Sequence, residues 1–478
     1  MVNLRTTSPR FSKYQSILFR LWEALVLAYL FRPVQGLPQV RYDFATSHVT
    51  TRRGFLQNLA YLCDYKRGGG TTTTSIAAEM SDGELRLWVS SNGGVAHECL
   101  DFLTGILHML RGANNMDIGQ QAVMALSITR RYTEFASPRL THYVKRLSAL
   151  AGRCKTHLQA GVGADYHGMQ PLVPWLGQFQ FGRDTDLYEV CRFAYDAQHD
   201  PQAHMLEHLA SRPDDGTSIG AMSRYFQAIS RMIGRLASGV RVPAELVRDA
   251  CQFNQMAMLN SYRVSAVECP LPAWVPRADE LTDLKSILGR MINDRGPRFD
   301  QLYGRLVAWD EIIGLKEQID WSFDGGITTC VHAEVQMLEH FYRNDLRFAW
   351  DDKYVACSKP ACLACRLYFQ HHPARPVWLD SHDRIYVNWA PVLLAKGTRH
   401  PNHPLFQEER RLLDRIIPEI CRVAIHSIEM WGLPSSNHMQ RQESTTYTRE
   451  GQGLRCDDQA STVDESEGVE TGGGAPLY

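Results

Sequence analysis

His332-Ala333-Glu334, followed 30 residues after the histidine by Cys362-Leu363-Ala364-Cys365, gathers an imidazole, a carboxylate and two thiols in one stretch. A catalytic zinc takes three protein ligands and keeps a fourth position for water. His332, Cys362 and Cys365 are the candidate metal ligands. Glu334, two residues beyond the histidine, is the candidate catalytic acid–base, close enough to reach such a water without binding the metal. Zinc lowers the pKa of the water it holds toward ~7, which makes hydroxide available at neutral pH. The same cysteines permit another reading. Cys357, Cys362, Cys365 and His371 or His372 also fit a closed structural zinc, which would make the region a binding module. Against this, Cys357 ends an apolar strand, and His371 and His372 fall about two helical turns beyond the Cys362–Cys365 pair. Cys330 reads as a core strand residue.

The elements that must position these groups follow from local pattern. Val331, Val335, Leu338 and Phe341 or Tyr342 recur at helical spacing, so 331–342 reads as a helix with His332 and Glu334 in its first turn. Asp324-Gly325-Gly326 reads as a turn and 327–331 as a strand leading into that helix. A second strand is expected at 353–357, and a second helix opens at Cys362 with Leu363, Leu367 and Tyr368 on its buried side. Both halves of the site then sit at helix N-termini, where unpaired N–H groups favour the thiolate.

At these residues the chain resembles the cytidine deaminase-like superfamily, whose pattern is His-x-Glu followed by Pro-Cys-x-x-Cys. The stretches 331–336 and 357–365 are similar to a fungal and intracellular-bacterial branch, some of whose members look like toxin domains. The resemblance covers roughly 285–400, about a quarter of the chain. Here Ala361 separates Pro360 from Cys362, a departure that bears on how the loop meets a substrate amino group. The resemblance implies a zinc-dependent hydrolytic deaminase acting on the C–N bond of a cyclic amidine. The substrate would be a cytidine- or adenosine-type nucleoside, nucleotide or nucleic acid. A zinc-bound hydroxide would be the nucleophile and Glu334 the proton shuttle. A catalytically silent deaminase fold serving as a protein-binding scaffold is the alternative, although it would have no need of Glu334. The fold implied is α/β: a three-layer α-β-α domain with a mixed sheet, preceded by a mostly α-helical domain.

Residues 377–380 and 384–388 read as strands separated only by Ser381-His382-Asp383, so the domain is expected to end in an antiparallel hairpin. Within the superfamily such a hairpin resembles the free-nucleoside deaminases and several toxin-like branches. Charge points the same way. The chain carries 51 Lys+Arg against 52 Asp+Glu, and residues 280–400 carry 15 against 16, without the basic surplus usual in a nucleic-acid binder. Arg343, Arg347, Arg366 and Arg375 read as solvated helix faces. Among Trp321, Phe323, Trp350, Trp378, Tyr386 and Trp389, core packing is the leading reading, with a stacking face for a base the alternative.

At 478 residues and 44% hydrophobic the chain should hold more than one domain. The expected division is a helical region over 1–270, the deaminase-like domain over 280–400, a C-terminal helix over 401–432 and a disordered tail over 433–478. Helices are expected at 95–112, 116–155, 186–210, 219–238 and 243–262, with Gly68–Thr74 a loop or flexible insert. Pro270, Pro272 and Pro276 mark the boundary, and Pro418 should kink or divide the last helix. The apolar run 17–31 is interrupted by Arg20 and Glu23 and is too short to span a membrane; it reads as a helix packed on the core. The helical region is read as a partner-binding, gating or scaffolding element. Scattered cysteines and the proposed zinc thiolates favour a reducing, intracellular compartment.

Overall fold

The structure, a computed structural model, describes residues 11–431 apart from 33–46, 68–69, 82, 162–165, 167, 183–184, 214–216, 253–261, 274, 276, 279–280 and 293–294. The expected tail at 433–478 and the end of the helix expected at 243–262 lie outside the described residues.

The chain opens with α1 (Lys13–Leu30) and α2 (Ser47–Leu62). Strands β1 (Thr74–Ser81) and β2 (Glu84–Ser91) follow, then helices α3 (His97–Met109), α4 (Ile118–Phe135), α5 (Ser137–Ala160), α6 (Leu172–Gly177), α7 (Leu187–Ala197), α8 (Pro201–Ala210) and α9 (Ser218–Gln252). Strand β3 (Tyr262–Ala266) leads to α10 (Leu284–Met291), α11 (Pro297–Ile313), α12 (Leu315–Phe323) and α13 (Ala333–Arg343). Strand β4 (Ala356–Cys357), α14 (Leu363–His371) and α15 (Pro404–Trp431) complete it. The result is a mixed α/β protein with a helical region in its N-terminal half.

The sheet runs β3-β2-β1-β4, with β1 antiparallel to β2 and β4 and β2 parallel to β3. The sequence reading assigned no strand at 74–91, yet Leu85, Leu87 and Val89 alternate there with less buried residues. Gly83, at φ +79°, takes a backbone conformation in the β1–β2 turn that a side chain disfavours. Ile76, Ala78, Leu85, Leu87 and Val89 join the core built by α2–α9, whereas Ala77 joins a second core built by α1 and α10–α15. α13 packs on β1 and β2, and α2 packs on β1 and β4.

α1 is buried along most of its length against α15. Its interrupting Glu23 is tolerated because Arg290 forms an ion pair with it. Pro418 does not divide α15. Leu412, Leu413, Ile416, Ile417, Ile420, Ala424 and Ile428 are buried on both sides of it, and this continuous stripe offsets a proline cost of about 3 kcal/mol. Likewise α9 runs through Pro243, so the two expected helices are one. The expected 186–210 helix is instead two, with Asp200 capping the second and Pro201 at its first position.

The antiparallel final hairpin is corrected. Residues 377–380 and 384–388 do not pair with each other. Ser381 bridges Ala361 and Trp389 bridges Cys330, both in parallel sense. The reason is local: the Asp380 carbonyl accepts from Ala361 N–H at 2.8 Å, His382 N–H donates to Ala361 at 3.0 Å, and the Arg384 carbonyl accepts from Leu363 N–H at 3.1 Å. The turn spends its backbone bonds on the chain around Cys362. The strand expected at 327–331 is an extended lead-in that pairs only at Cys330. No helix among the described residues is long and apolar enough to cross a membrane.

Candidate metal centre

His332 is the N-cap residue of α13, with extended backbone at φ −69° and ψ 148°. Its position is fixed from both sides. Cys330 N–H donates to the Asn388 carbonyl at 2.7 Å and Ala390 N–H to the Cys330 carbonyl at 3.0 Å. The end of β2 then holds the start of the helix. Asn92 Oδ1 accepts from Ala333 N–H at 2.7 Å, Ser90 Oγ donates to the Ala333 carbonyl at 2.8 Å, and Gln336 Nε2 donates to the Ser91 carbonyl at 3.1 Å. Cys362 is the N-cap residue of α14, and its sulfur accepts from Cys365 N–H at 3.4 Å.

These two helix starts meet. His332 Nδ1 lies 3.5 Å from Cys362 Sγ and 3.3 Å from Cys365 Sγ, and the three ligand atoms fall within 4.8 Å of one another. With Zn–S of about 2.3 Å and Zn–N of about 2.0 Å, a tetrahedral site needs an N···S edge of roughly 3.5 Å. The donor set therefore fits a metal ion of that kind. All three residues are buried. Burial alone would push the Cys362 thiol up, but the Cys365 thiol hydrogen-bonded to it and the adjacent His332 ring outweigh this and hold it down at about 6. Burial and the same Cys362 neighbour push Cys365 up. Trp389, fully buried, donates its indole N–H to Cys365 Sγ at 3.1 Å, a bond that favours sulfur as thiolate.

Glu334 lies in the first turn of α13 and is buried. Its Oε2 accepts from the Cys357 thiol at 3.8 Å. Burial, reinforced by the Glu334 charge, pushes that thiol up and keeps it a donor. Cys357 thus stands beside the carboxylate and outside the group of three. The histidines of the structural-zinc reading are engaged elsewhere. His371 pairs with Glu419 at 2.6 Å, and His372 pairs with Glu339 at 3.0 Å. Cys330 Sγ donates to the Asn92 carbonyl at 3.7 Å and also stays outside the group.

One flank of His332 is aromatic. Tyr386 meets its ring edge-on at 5.5 Å, and His382 lies 6.1 Å from Tyr386. Burial, then the Arg384 charge, lowers the pKa of His382 to about 4. Of the other candidate rings, Phe323 is core, while Trp321 and Trp378 are 42% and 49% exposed. Arg343 pairs with Glu339 and Arg366 with Asp383, so neither is a free cation at the site.

Residues 331–392 match the model of a deaminase family, the OTT_1508_deam-like deaminases. The matched segment carries His332, Glu334, Cys357, Cys362, Cys365, Tyr386 and Trp389. No curated protein and no solved structure matches the chain.

The sequence reading missed Ser90 and Asn92, which stand some 240 residues before the helix they hold. The hairpin turn at Gly83 was the available signal for the strand that delivers them. It also placed Trp389 in the core without its bond to sulfur. Trp389→Phe keeps the ring and deletes the donor. It is expected to weaken zinc binding by about tenfold, measured by competition with a chromophoric chelator. An unchanged affinity would leave the indole a packing role only.

Proposed function

We propose that the chain is a zinc-dependent hydrolytic deaminase that replaces the exocyclic amine of a nucleobase-type ring with oxygen and releases ammonia. The observation that carries this reading is His332 Nδ1 at 3.3 and 3.5 Å from two thiol sulfurs with a buried Glu334 beside them. The matched deaminase segment supports it. Bound to His332, Cys362 and Cys365, zinc would supply a water activated at neutral pH. Glu334 would hold the proton chemistry. Its carboxylate would take a proton from the water as the water's oxygen bonds the ring carbon, and deliver it to the adjacent ring nitrogen. It would then take the proton of the added hydroxyl and pass it to the amine, which leaves as ammonia as the C–N bond breaks and the C=O forms. The Cys357 thiol steadies that carboxylate, and the Tyr386 and His382 rings form one wall for a planar substrate.

In this reading the deaminase-like domain has the three-layer α-β-α form and is not confined to 280–400. It takes β1 and β2 from 74–91, with the α3–α9 segment as a long insertion between β2 and the rest. The branch shared by fungi and intracellular bacteria rests on 331–336 and 357–365 alone. Metal-ligating thiols suit a reducing, intracellular compartment. The test is ammonia release by the zinc-loaded chain from cytidine, adenosine, their monophosphates and short single strands. Release from one class supports the reading. Bound zinc with no release from any of them replaces it with a protein-binding scaffold.

A further inference from the structure

We propose that Cys63 and Cys99 form a redox-modification site, a dithiol of the helical region that a peroxide oxidises to a disulfide. Both lie outside the metal centre and outside the matched segment 331–392. The site does not rest on the deaminase reading.

Two helix ends bring the thiols together. Cys63 follows the last residue of α2, and Cys99 lies in the first turn of α3. Cys63 is fully buried and Cys99 is 3% exposed. Cys99 Sγ donates to the Cys63 carbonyl at 3.8 Å, across 36 residues of chain. The Cys63 thiol bonds the Cys99 sulfur, and that bond, then burial, pushes its pKa up. Aromatic packing fixes the two segments against each other. Tyr65, two residues after Cys63, stacks on Phe135 at 4.3 Å, and Phe102, three residues after Cys99, stacks on the same ring at 4.1 Å. The Tyr65 hydroxyl also donates to Glu98, the neighbour of Cys99, at 2.7 Å.

A cavity of about 270 Å³ reaches the pair, with Cys63 and Cys99 both in its lining. Lys66 and Gly93 also line it and are exposed, so it opens to solvent on their side. Thr72 and Ser91 give its wall hydroxyl groups. Hydrogen peroxide is little larger than water, and a polar cavity of this size admits it. Buried thiols are ordinarily inert because nothing reaches them. Here an opening leads to two thiols already bonded to each other.

Cys63 keeps its proton, so Cys99 attacks first. Helix N-termini favour negative charge, and Cys99 stands in the first turn of α3. Its sulfur takes one oxygen of the peroxide as the O–O bond breaks, and the other oxygen leaves as water with the Cys99 proton. The Cys63 sulfur then attacks the sulfur of the sulfenic acid so formed. The S–O bond breaks, the S–S bond forms, and the hydroxyl leaves as water with the Cys63 proton. Two electrons pass from the sulfurs to the peroxide. Thiol reductants reverse the bond, so in a reducing compartment it is transient. The bridge would lock the corner on which β1 begins, since the Thr74 hydroxyl donates to the Cys63 carbonyl at 3.4 Å.

The experiment treats the full zinc-loaded chain with hydrogen peroxide, quenches it, blocks remaining thiols and maps the tryptic peptides by mass spectrometry without reduction. Trypsin places the two cysteines on separate peptides, 54–66 and 87–111, each with no other cysteine. These peptides are expected to be linked in most treated chains and to separate after dithiothreitol. The bridged chain should unfold at a higher temperature than the reduced one, because the bond restricts the unfolded chain. Cys63→Ser should give no link and should leave Cys99 as a sulfenic acid that dimedone traps. Cys99→Ser should give neither a link nor a trapped adduct at Cys63. An unchanged unfolding midpoint under reducing conditions shows that each variant folds, and the wild-type link decides the proposal if one does not. Thiols at 63 and 99 that remain free after peroxide, or that oxidise singly without a link, overturn the proposal. A link from either peptide to a different cysteine overturns it as well.

Discussion

Glu334→Gln is expected to leave zinc bound and to lower ammonia release by about 10²–10⁴-fold. The substitution keeps volume and shape at a position only 3% exposed, so packing around α13 should survive. Gln Oε1 can still accept from the Cys357 thiol, which donates to Glu334 Oε2 at 3.8 Å. What the amide cannot do is take a proton from water and carry it to a ring nitrogen. Glu334→Asp keeps the acid but draws it back by one methylene, and should retain a small part of the rate. Zinc per chain, measured beside the rate, separates the explanations. A fully active Glu334→Gln removes the residue from proton transfer. An inactive variant that has also lost its metal shows the carboxylate supporting the coordination shell instead.

The site was legible from the sequence because its chemistry is compressed into two helix starts. His332, Glu334, Cys362 and Cys365 lie within 34 residues, and both helices announce themselves by apolar spacing. Their surroundings were not, because the chain assembles them from distant segments. β1 was hidden by position: the run 74–81 is buried along nearly its whole length and so lacks alternation, the pattern by which a strand is usually recognised, whereas β2 does alternate at Leu85, Leu87 and Val89. The final hairpin misled for the opposite reason. Two strand-like runs and a short turn satisfy the local rule, but the turn's backbone groups found better partners at 361 and 363. Charge behaved likewise. The balance over 280–400 is real, but it does not say which charges meet in space. Two of the four arginines singled out within it, Arg343 and Arg366, were spent on Glu339 and Asp383. Composition reports a sum over sequence, whereas a binding face is a sum over space.

His332→Ala is expected to reduce zinc from about one per chain to near zero. His332 supplies the only nitrogen of the group, and without it two thiols remain, fewer protein ligands than a stable zinc site holds. Cys362→Ala and Cys365→Ala should lose the metal in the same way. Cys357→Ser should keep it, since that thiol faces Glu334 and stands outside the group of three. The contrast discriminates against the rival coordination by Cys357, Cys362, Cys365 and a histidine of the pair at 371–372. That arrangement would have to break either the His371–Glu419 pair or the His372–Glu339 pair, the second of which also involves buried Tyr368 bonded to the same carboxylate at 2.5 Å. Stability gives a second readout. Metal that binds only the folded chain adds roughly 4 kcal/mol when free zinc exceeds its Kd about a thousandfold. Wild type and Cys357→Ser should therefore unfold at lower temperature on chelation, and His332→Ala should be indifferent to the chelator. Zinc retained by His332→Ala but lost by Cys357→Ser would move the metal to the rival set, where no position is left open for water, and the enzymatic reading would go with it.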